Sequence, residues 1–273
     1  MPTPRQALDR FARLVRTGQV DAGPSPLRLG VDLGTANIVV SVVDADNQPV
    51  AGGWRQASVV RDGIVVDWQG AVSCVRDLLA EVGSRLSVPL PSAASVAIPP
   101  GINAGTTKVF TNVLEAAGLA ADEVVDEPLA AATALGVTNG AVIDIGHGTT
   151  GVSVIRDSEL VHSMDEATGG HHMTLVVSGA LGMPYERAEK FKRAPKNQDM
   201  VGGLIRPTLE KMASIAAQGL EGHDVDEIHL VGGSSSFPIA PSIFSDILGR
   251  PVSRPNHPLF PTPLGVAMRR NHD

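Results

Sequence analysis

The chain has 273 residues, 43% of them apolar and 19% charged, with 29 glycines, 20 prolines and a formal net charge of −7. This length has room for two domains of ordinary size, and the acidic balance argues against a nucleic-acid surface. One cysteine, Cys74, excludes an intramolecular disulfide; no apolar stretch approaches the roughly 18 residues of a membrane span, and no secretory signal opens the chain, so the sequence reads as a cytoplasmic protein without membrane or nucleic-acid partners.

From Pro4 to Thr17, the apolar residues Leu8, Phe11, Ala12, Leu14 and Val15 fall at helical spacing, with Arg5, Arg10, Arg13 and Arg16 on the opposite side. Gly18 to Pro26 reads as a linker. Residues 1–26 are therefore either a docking peptide or an extension packed on the body, because an isolated helix of about 14 residues is marginal in water.

The body starts at Leu27 and carries one pattern twice. Gly30 to Val40 and Val142 to Ile155 are each an apolar strand, an Asp, a Gly-Thr turn and a second apolar strand, the sequence form of a β-hairpin. After the Asp32 hairpin come a strand over Gln48–Gly53, an extended piece over Ser58–Val66 turning at Arg61-Asp62-Gly63, a helix over Gln69–Arg85 that holds Cys74 as an inert core thiol, a buried strand over Ser95–Pro99 and a helix over Thr106–Ala117. After the Asp144 hairpin come a strand over Glu159–Ser163, a turn at Gly169-Gly170 and helices over Met173–Gly182, Pro184–Arg193 and Leu204–Gly219. A buried strand over Glu227–Val231 then runs into Gly232-Gly233-Ser234, with a helix over Ile239–Leu248. Two small-residue helices, Glu127–Ala134 and Thr262–Met268, suit close packing as at a hinge. Strands followed by alternating helices and strands imply two α/β halves with mixed sheets facing a shared cleft.

A Gly-Thr turn exposes backbone N–H groups and a hydroxyl with no large side chain in the way, which suits phosphate oxygens. Gly34, Thr35, Ala36 and Asn37 in one half and Gly146, His147, Gly148, Thr149 and Thr150 in the other can therefore clamp the phosphates of a nucleotide. Asp32 and Asp144 would repel those phosphates unless a cation stood between, so the pair predicts Mg²⁺ held through waters. Glu127, opening a helix after Asp126, can orient a water for attack on a phosphoryl group. Gly232, Gly233 and Ser234 let a nucleoside approach the backbone.

In this order, Asp32-Leu33-Gly34-Thr35, Asp126-Glu127-Pro128, Asp144-Ile145-Gly146-His147-Gly148-Thr149-Thr150 and Leu230-Val231-Gly232-Gly233-Ser234 resemble the actin, sugar-kinase and heat-shock-chaperone ATPase superfamily. More closely, Val60-Arg61-Asp62-Gly63-Ile64-Val65, Asp165-Glu166-Ala167-Thr168-Gly169-Gly170-His171-His172 and Ala188-Glu189-Lys190-Phe191-Lys192-Arg193 are similar to the EutJ family of ethanolamine-utilisation proteins. The resemblance spans about Leu27 to Met268. It implies an actin-like ATPase fold of two ribonuclease-H-like domains, residues 27–136 with 262–273 packing back, and residues 137–261, around a cleft that holds ATP or ADP with Mg²⁺. It further implies Glu189 and Lys192 near the adenosine, Gly169 and Gly170 among the nucleotide contacts, Glu127 serving the catalytic water, and Asp32 and Asp144 as the cation carboxylates.

The sequence departs from the superfamily in three ways. His147 stands where three successive glycines are usual, and its ring either crowds the terminal phosphate or, if protonated, holds it. Ser236 replaces an Arg that stacks on adenine in the heat-shock chaperones. The outer subdomains are reduced, and no peptide-binding domain is expected.

The remaining motifs read as structural. Gly101 to Lys108 does not fit a P-loop and is a helix entry with Thr106 or Thr107 near the cap; His171 and His172 form hydrogen bonds rather than a zinc site; Asp44-Ala45-Asp46-Asn47 is a solvated hairpin turn. The expected function is an ATP-binding chaperone or assembly factor, a weak Mg²⁺-dependent ATPase, whose cleft closes on nucleotide and acts on a protein client, an ethanolamine-utilisation enzyme or microcompartment component. Such a protein is cytoplasmic and associated with the microcompartment. The alternatives are a small-molecule kinase of the same superfamily and a structural adaptor with a vestigial nucleotide site.

Overall fold

The computed structural model describes residues 2–61 and 63–269. Met1, Asp62 of the expected Arg61–Gly63 turn, and residues 270–273 of the expected C-terminal helix lie outside the described residues. The chain divides into two units, the first formed by Met1–Thr138, Asp157–Glu159 and Leu259–Asp273, the second by Asn139–Arg156 and Leu160–Pro258.

Unit 1 begins with α1 (Pro4–Thr17), whose Thr3 hydroxyl caps the Gln6 N–H while the Gln6 side chain accepts from the Thr3 N–H. Gly18 closes the helix with φ of 67°, the left-handed conformation that glycine adopts freely. Leu8, Phe11 and Ala12 are buried against Val39, Val43, Phe260 and Leu264, and the Phe11 and Phe260 rings meet edge to face at 5.5 Å. On the basic side, Arg10 and Arg13 each lie 2.7 Å from Asp21 of the linker. Of the two alternatives for this segment, the packed extension is the one realised: the apolar face that a docking peptide would present is covered by its own unit.

The first hairpin, β1 (Arg28–Leu33) and β2 (Asn37–Val43), is antiparallel with Asp32 opposite Val39. β3 (Pro49–Gln56) follows, reached through the turn at Asp44. That turn is not solvated as expected: Asp44 is 3% exposed, and its Oδ1 accepts N–H groups from Asp46 and Gln48 at 2.9 and 2.8 Å, so the carboxylate serves as the turn's internal acceptor. A small hairpin, β4 (Val60–Arg61) and β5 (Ile64–Val65), leads to α2 (Trp68–Gly83), capped by Asp67. Then come β6 (Ala93–Ile98), α3 (Ala104–Ala117), β7 (Ala120–Asp126) and α4 (Glu127–Leu135). The cap of α3 is Asn103, whose side chain accepts the Thr106 N–H. The sheet order is β3-β2-β1-β6-β7, with β6 parallel to both β1 and β7.

Unit 2 repeats this plan. Its elements are β8 (Gly140–Ile145), β9 (Thr150–Arg156), β10 (Glu159–Glu166), α5 (Gly170–Leu181), α6 (Tyr185–Arg193), α7 (Gln198–Gly219), β11 (Ile228–Val231), α8 (Ala240–Leu248) and β12 (Val252–Ser253). The order β10-β9-β8-β11-β12, with an antiparallel β8–β9 hairpin and β11 parallel to β8 and β12, is the order of unit 1. The repeat visible in the two Asp-Gly-Thr segments thus extends to both whole sheets. Each unit has its own core, one around Val31, Val40, Leu78 and Phe110, the other around Ile143, Met173, Leu209 and Phe244.

The last helix, α9 (Pro261–Met268), belongs to unit 1 and packs against α4. A Cβ at Gly265 would overlap the Ala130 carbonyl, so the small residues of both helices are what lets the two backbones meet. The close packing is seen, but the two helices belong to one unit and do not form the expected hinge between domains.

Candidate functional site

In unit 1 the turn Gly34–Ala36 joins β1 to β2. Gly34 has little room: a Cβ there would stand 2.9 Å from the Asn37 carbonyl oxygen. Asn37 Oδ1 is buried without a hydrogen-bond partner, an acceptor beside the turn that a ligand or water can satisfy. Asp32 is the last residue but one of β1. Glu127 opens α4 at the end of β7, where its negative charge favours the helix N-terminus. β6 stands between β1 and β7 in the sheet, so the Glu127 strand end is about 10 Å from the Asp32 strand. Just before Glu127, burial raises the Asp126 carboxyl above its usual range, with Arg269 opposing.

Unit 2 brings together nearly every residue that the sequence marks there. The Gly146–Thr149 turn is closed by the Gly146 N–H donating to the Thr149 carbonyl at 3.0 Å, and the wholly buried Thr150 hydroxyl donates to the Thr168 carbonyl at 2.6 Å. The start of α5 is built onto the back of this turn: Gly170 N–H donates to Gly146 O at 3.0 Å and His171 N–H to His147 O at 2.7 Å. A Cβ at Gly169 would sit 2.6 Å from the His147 carbonyl oxygen, so only glycine allows that approach. Gly170 is the first residue of α5 rather than part of a free turn, because these carbonyls satisfy N–H groups that a helix start otherwise leaves unpaired. His172 Nδ1 accepts the Gly169 N–H at 3.3 Å. No residue of Gly146–Thr149 has a positive φ, so the turn imposes no backbone strain on His147.

Asp144 closes β8 against the glycine loop. The N–H of Gly232 donates to Pro258 O at 2.8 Å, its φ is 86°, and a Cβ on it would overlap the Asp144 carboxylate. Enclosure pushes the Asp144 carboxyl up to about 6, and the nearby Asp165 of β10 adds to the rise. Asp165 also faces the bare position of Gly151: its Oδ1 lies 3.3 Å from where a Cβ would be. Ser234 sits against Gly170, which a Cβ there would overlap. The loop is braced by the Ser235 hydroxyl donating to Gly232 O at 2.7 Å and by Arg254 donating to the Ser235 and Phe237 carbonyls at 2.8 and 3.2 Å.

Lys192, 4% exposed, points inward. Its ammonium donates to Gly170 O and the Thr174 hydroxyl, both at 2.7 Å, and pairs with Glu189 at 2.7 Å; Thr174 also donates to Glu189. Burial lowers the Lys192 amine, with Glu189 opposing; burial raises Glu189, but the hydrogen bonds from Lys192 and Thr174 outweigh it and bring its carboxyl below the usual value. His147 is held below its ordinary value by burial, with Lys192, His171 and Arg193 adding and Glu189 opposing, so the ring is neutral at neutral pH.

Tyr185, Thr174 and Arg254 are site residues that the sequence did not mark, and Asp165 entered only within a segment similar to the EutJ family. Asp165 and Thr174 lie beside marked segments, but Tyr185 and Arg254 are joined to the turn and the loop only through tertiary contacts. Among the described residues no group of three or more His, Cys, Asp or Glu side chains is placed to enclose a metal ion. In unit 2 the Asp144 carboxylate, near the end of β8 beside a glycine turn, suits a cation held through waters; in unit 1 Asp32 has the same place in β1, with the unsatisfied Asn37 Oδ1 beside its turn.

Two units with the same five-strand order, each with an Asp-Gly-Thr hairpin at its centre, define an actin-like ATPase fold. The computed fold superposes on MreB5 of Spiroplasma citri bound to AMPPNP with a TM-score of 0.71, over 89% of this chain and 96% of that one, at 18% identity. The family model of cell division protein FtsA matches residues 141–265. The chain belongs to the EutJ family: it is 42% identical over 247 residues to the ethanolamine utilization protein EutJ of Salmonella typhimurium, covering 90% of this chain and 86% of that protein. The crystal structure of EutJ from Carboxydothermus hydrogenoformans matches with a TM-score of 0.91 and 42% identity, over 97% of this chain and 98% of that one.

Proposed function

We propose that the chain binds ATP and ADP with Mg²⁺ and works as a nucleotide-dependent chaperone or assembly factor on a protein client of ethanolamine utilisation, an enzyme or a microcompartment component. The observation that carries this reading is the assembly around Asp144, where the Gly146–Thr150 turn, the start of α5 and the Gly232–Ser234 loop meet with three glycines each lacking room for a Cβ. None of these three glycines puts a side chain between the turn and a ligand, which lets a polyphosphate approach the backbone of the turn.

In this reading Asp32 and Asp144 hold the cation through waters, and that cation supplies charge neutralisation for the phosphates. Gly34–Asn37 and His147–Thr149 bind phosphate oxygens through backbone N–H groups and the Thr35 and Thr149 hydroxyls, while Gly146 and the buried Thr150 hold the turn's shape. Gly232, Gly233 and Ser234 receive the nucleoside. Glu127 orients the attacking water. Lys192 and Glu189 support the nucleoside side by fixing Gly170. Closing of the cleft on nucleotide then changes the surface offered to the client. Calorimetric titration with ATP and with ADP, each with and without Mg²⁺, tests the reading: Mg²⁺-dependent binding supports it, and no heat from either nucleotide at millimolar concentration refutes it.

A further inference from the structure

The hydroxyl of Tyr185, first residue of α6, lies between two imidazoles, 2.8 Å from His171 Nδ1 and 3.3 Å from His147 Nε2. A hydroxyl carries one proton, so it donates to one ring nitrogen and accepts an N–H from the other. Whichever ring accepts the Tyr185 proton and whichever donates to its oxygen, an imidazole held by this hydroxyl keeps a single tautomer.

His147 is tied twice to the α5–α6 hairpin. Its carbonyl accepts the His171 N–H at 2.7 Å, and its ring is held by Tyr185 at an edge-to-face distance of 5.9 Å from the His171 ring. The ring matters because His147 lies in the middle of the Gly146–Gly148 turn, whose other side chains are hydrogen atoms. A free imidazole there rotates about χ1 and χ2 across the N–H groups of the turn and takes up the volume of a phosphoryl group; a tethered one does not.

We propose that Tyr185 is a positioning residue that holds the His147 ring on α6 and thereby keeps the Gly146–Thr150 turn open to the terminal phosphate of a nucleoside triphosphate, a specificity role that rests on the nucleotide reading above. The tether favours the triphosphate over the diphosphate, since only the former needs the space the ring would otherwise sweep. His147 stays neutral in this arrangement, so its contribution is one of shape.

Two readouts on Tyr185→Phe test this, in the parent and in a His147→Gly background. Nitrogen-15 NMR of the nucleotide-free chain reports the His147 tautomer: the parent shows a single tautomer, and Tyr185→Phe shows averaging of both. Calorimetry with MgATP and MgADP reports specificity: Tyr185→Phe weakens ATP about fivefold more than ADP, the equilibrium equivalent of one net hydrogen bond. In the His147→Gly background Tyr185→Phe changes neither ratio. Equal loss of ATP and ADP, or a differential loss that persists with His147→Gly, overturns the specificity role. An unchanged His147 tautomer in Tyr185→Phe overturns the tether and the specificity role that acts through it. A parent chain that binds neither nucleotide sinks the nucleotide reading and the specificity role with it, while the tautomer readout still decides the tether.

Discussion

Replacing Asp144 by Asn should make the free chain more stable at neutral pH, although it removes a proposed functional group. The Asp144 carboxyl is raised from 3.8 to about 6 by burial and by Asp165. A group whose folded value lies above its unfolded value binds its proton more tightly in the folded state, so stability falls as pH rises through the window from about 4 to 6. Above that window the folded chain carries the full penalty. The rise of about 2 units corresponds to a ceiling of about 3 kcal/mol; Asp144 keeps part of its surface at solvent, and screening brings the expected effect to about 1–2 kcal/mol. Asn has nearly the same shape, does not ionise and sits against the same Gly232, so Asp144→Asn recovers this energy at pH 7.5 and gains little below pH 4. Urea unfolding of parent and variant across pH 4 to 8, without nucleotide, measures it, and a gain of this size appears as roughly 2–4 °C per kcal/mol in thermal midpoint. A variant no more stable than the parent at pH 7.5, or a difference independent of pH, would refute the burial argument. The same variant should lose Mg²⁺-dependent nucleotide binding.

Lys192→Met strands Glu189 beside the buried Thr174 and should destabilise unit 2 by about 3–5 kcal/mol, most of it recovered in a Lys192→Met, Glu189→Gln double variant; chemical unfolding of the set checks this. Gly265→Ala drives a methyl into the Ala130 carbonyl and should lower stability by about 1–3 kcal/mol or prevent folding, as read by thermal unfolding and soluble yield. Phe11→Ala should destabilise unit 1 by about 3–5 kcal/mol, because Phe11 is wholly buried; a change within 0.5 kcal/mol, seen in urea unfolding, would mean that α1 is not an integral part of that unit.

Elements with a strong local signal were legible in the sequence. The helix over Pro4–Thr17 and both Asp-Gly-Thr hairpins were placed from periodicity and turn chemistry alone. β7 escaped because Ala120–Asp126 carries three acids in seven residues and only Val125 is fully buried; it is a strand because β6 pairs with it, a tertiary cause. β12 has two residues, too few for any periodicity, and exists through its pairing with β11. α7 begins at Gln198 rather than Leu204: Gln198, Asp199, Gly202 and Gly203 dilute any apolar periodicity there, yet Val201 and Gly202 are buried. The same division holds at the site. Glycine turns and their acids announce themselves at fixed spacing, whereas Tyr185 stands 38 residues from His147 and only folding brings them together. Asp165 has no local signal of its own; its nearness to Asp144 comes from packing around β9 and the missing side chain of Gly151.

The most direct test of the central claim is a calorimetric titration of ATP into the full chain with and without Mg²⁺, repeated with Asp144→Ala. The account predicts saturable binding that requires Mg²⁺ and is weakened in the variant, with folding unchanged. Equal binding by parent and variant would place the cation elsewhere, and no binding to the parent at millimolar ATP would contradict the account.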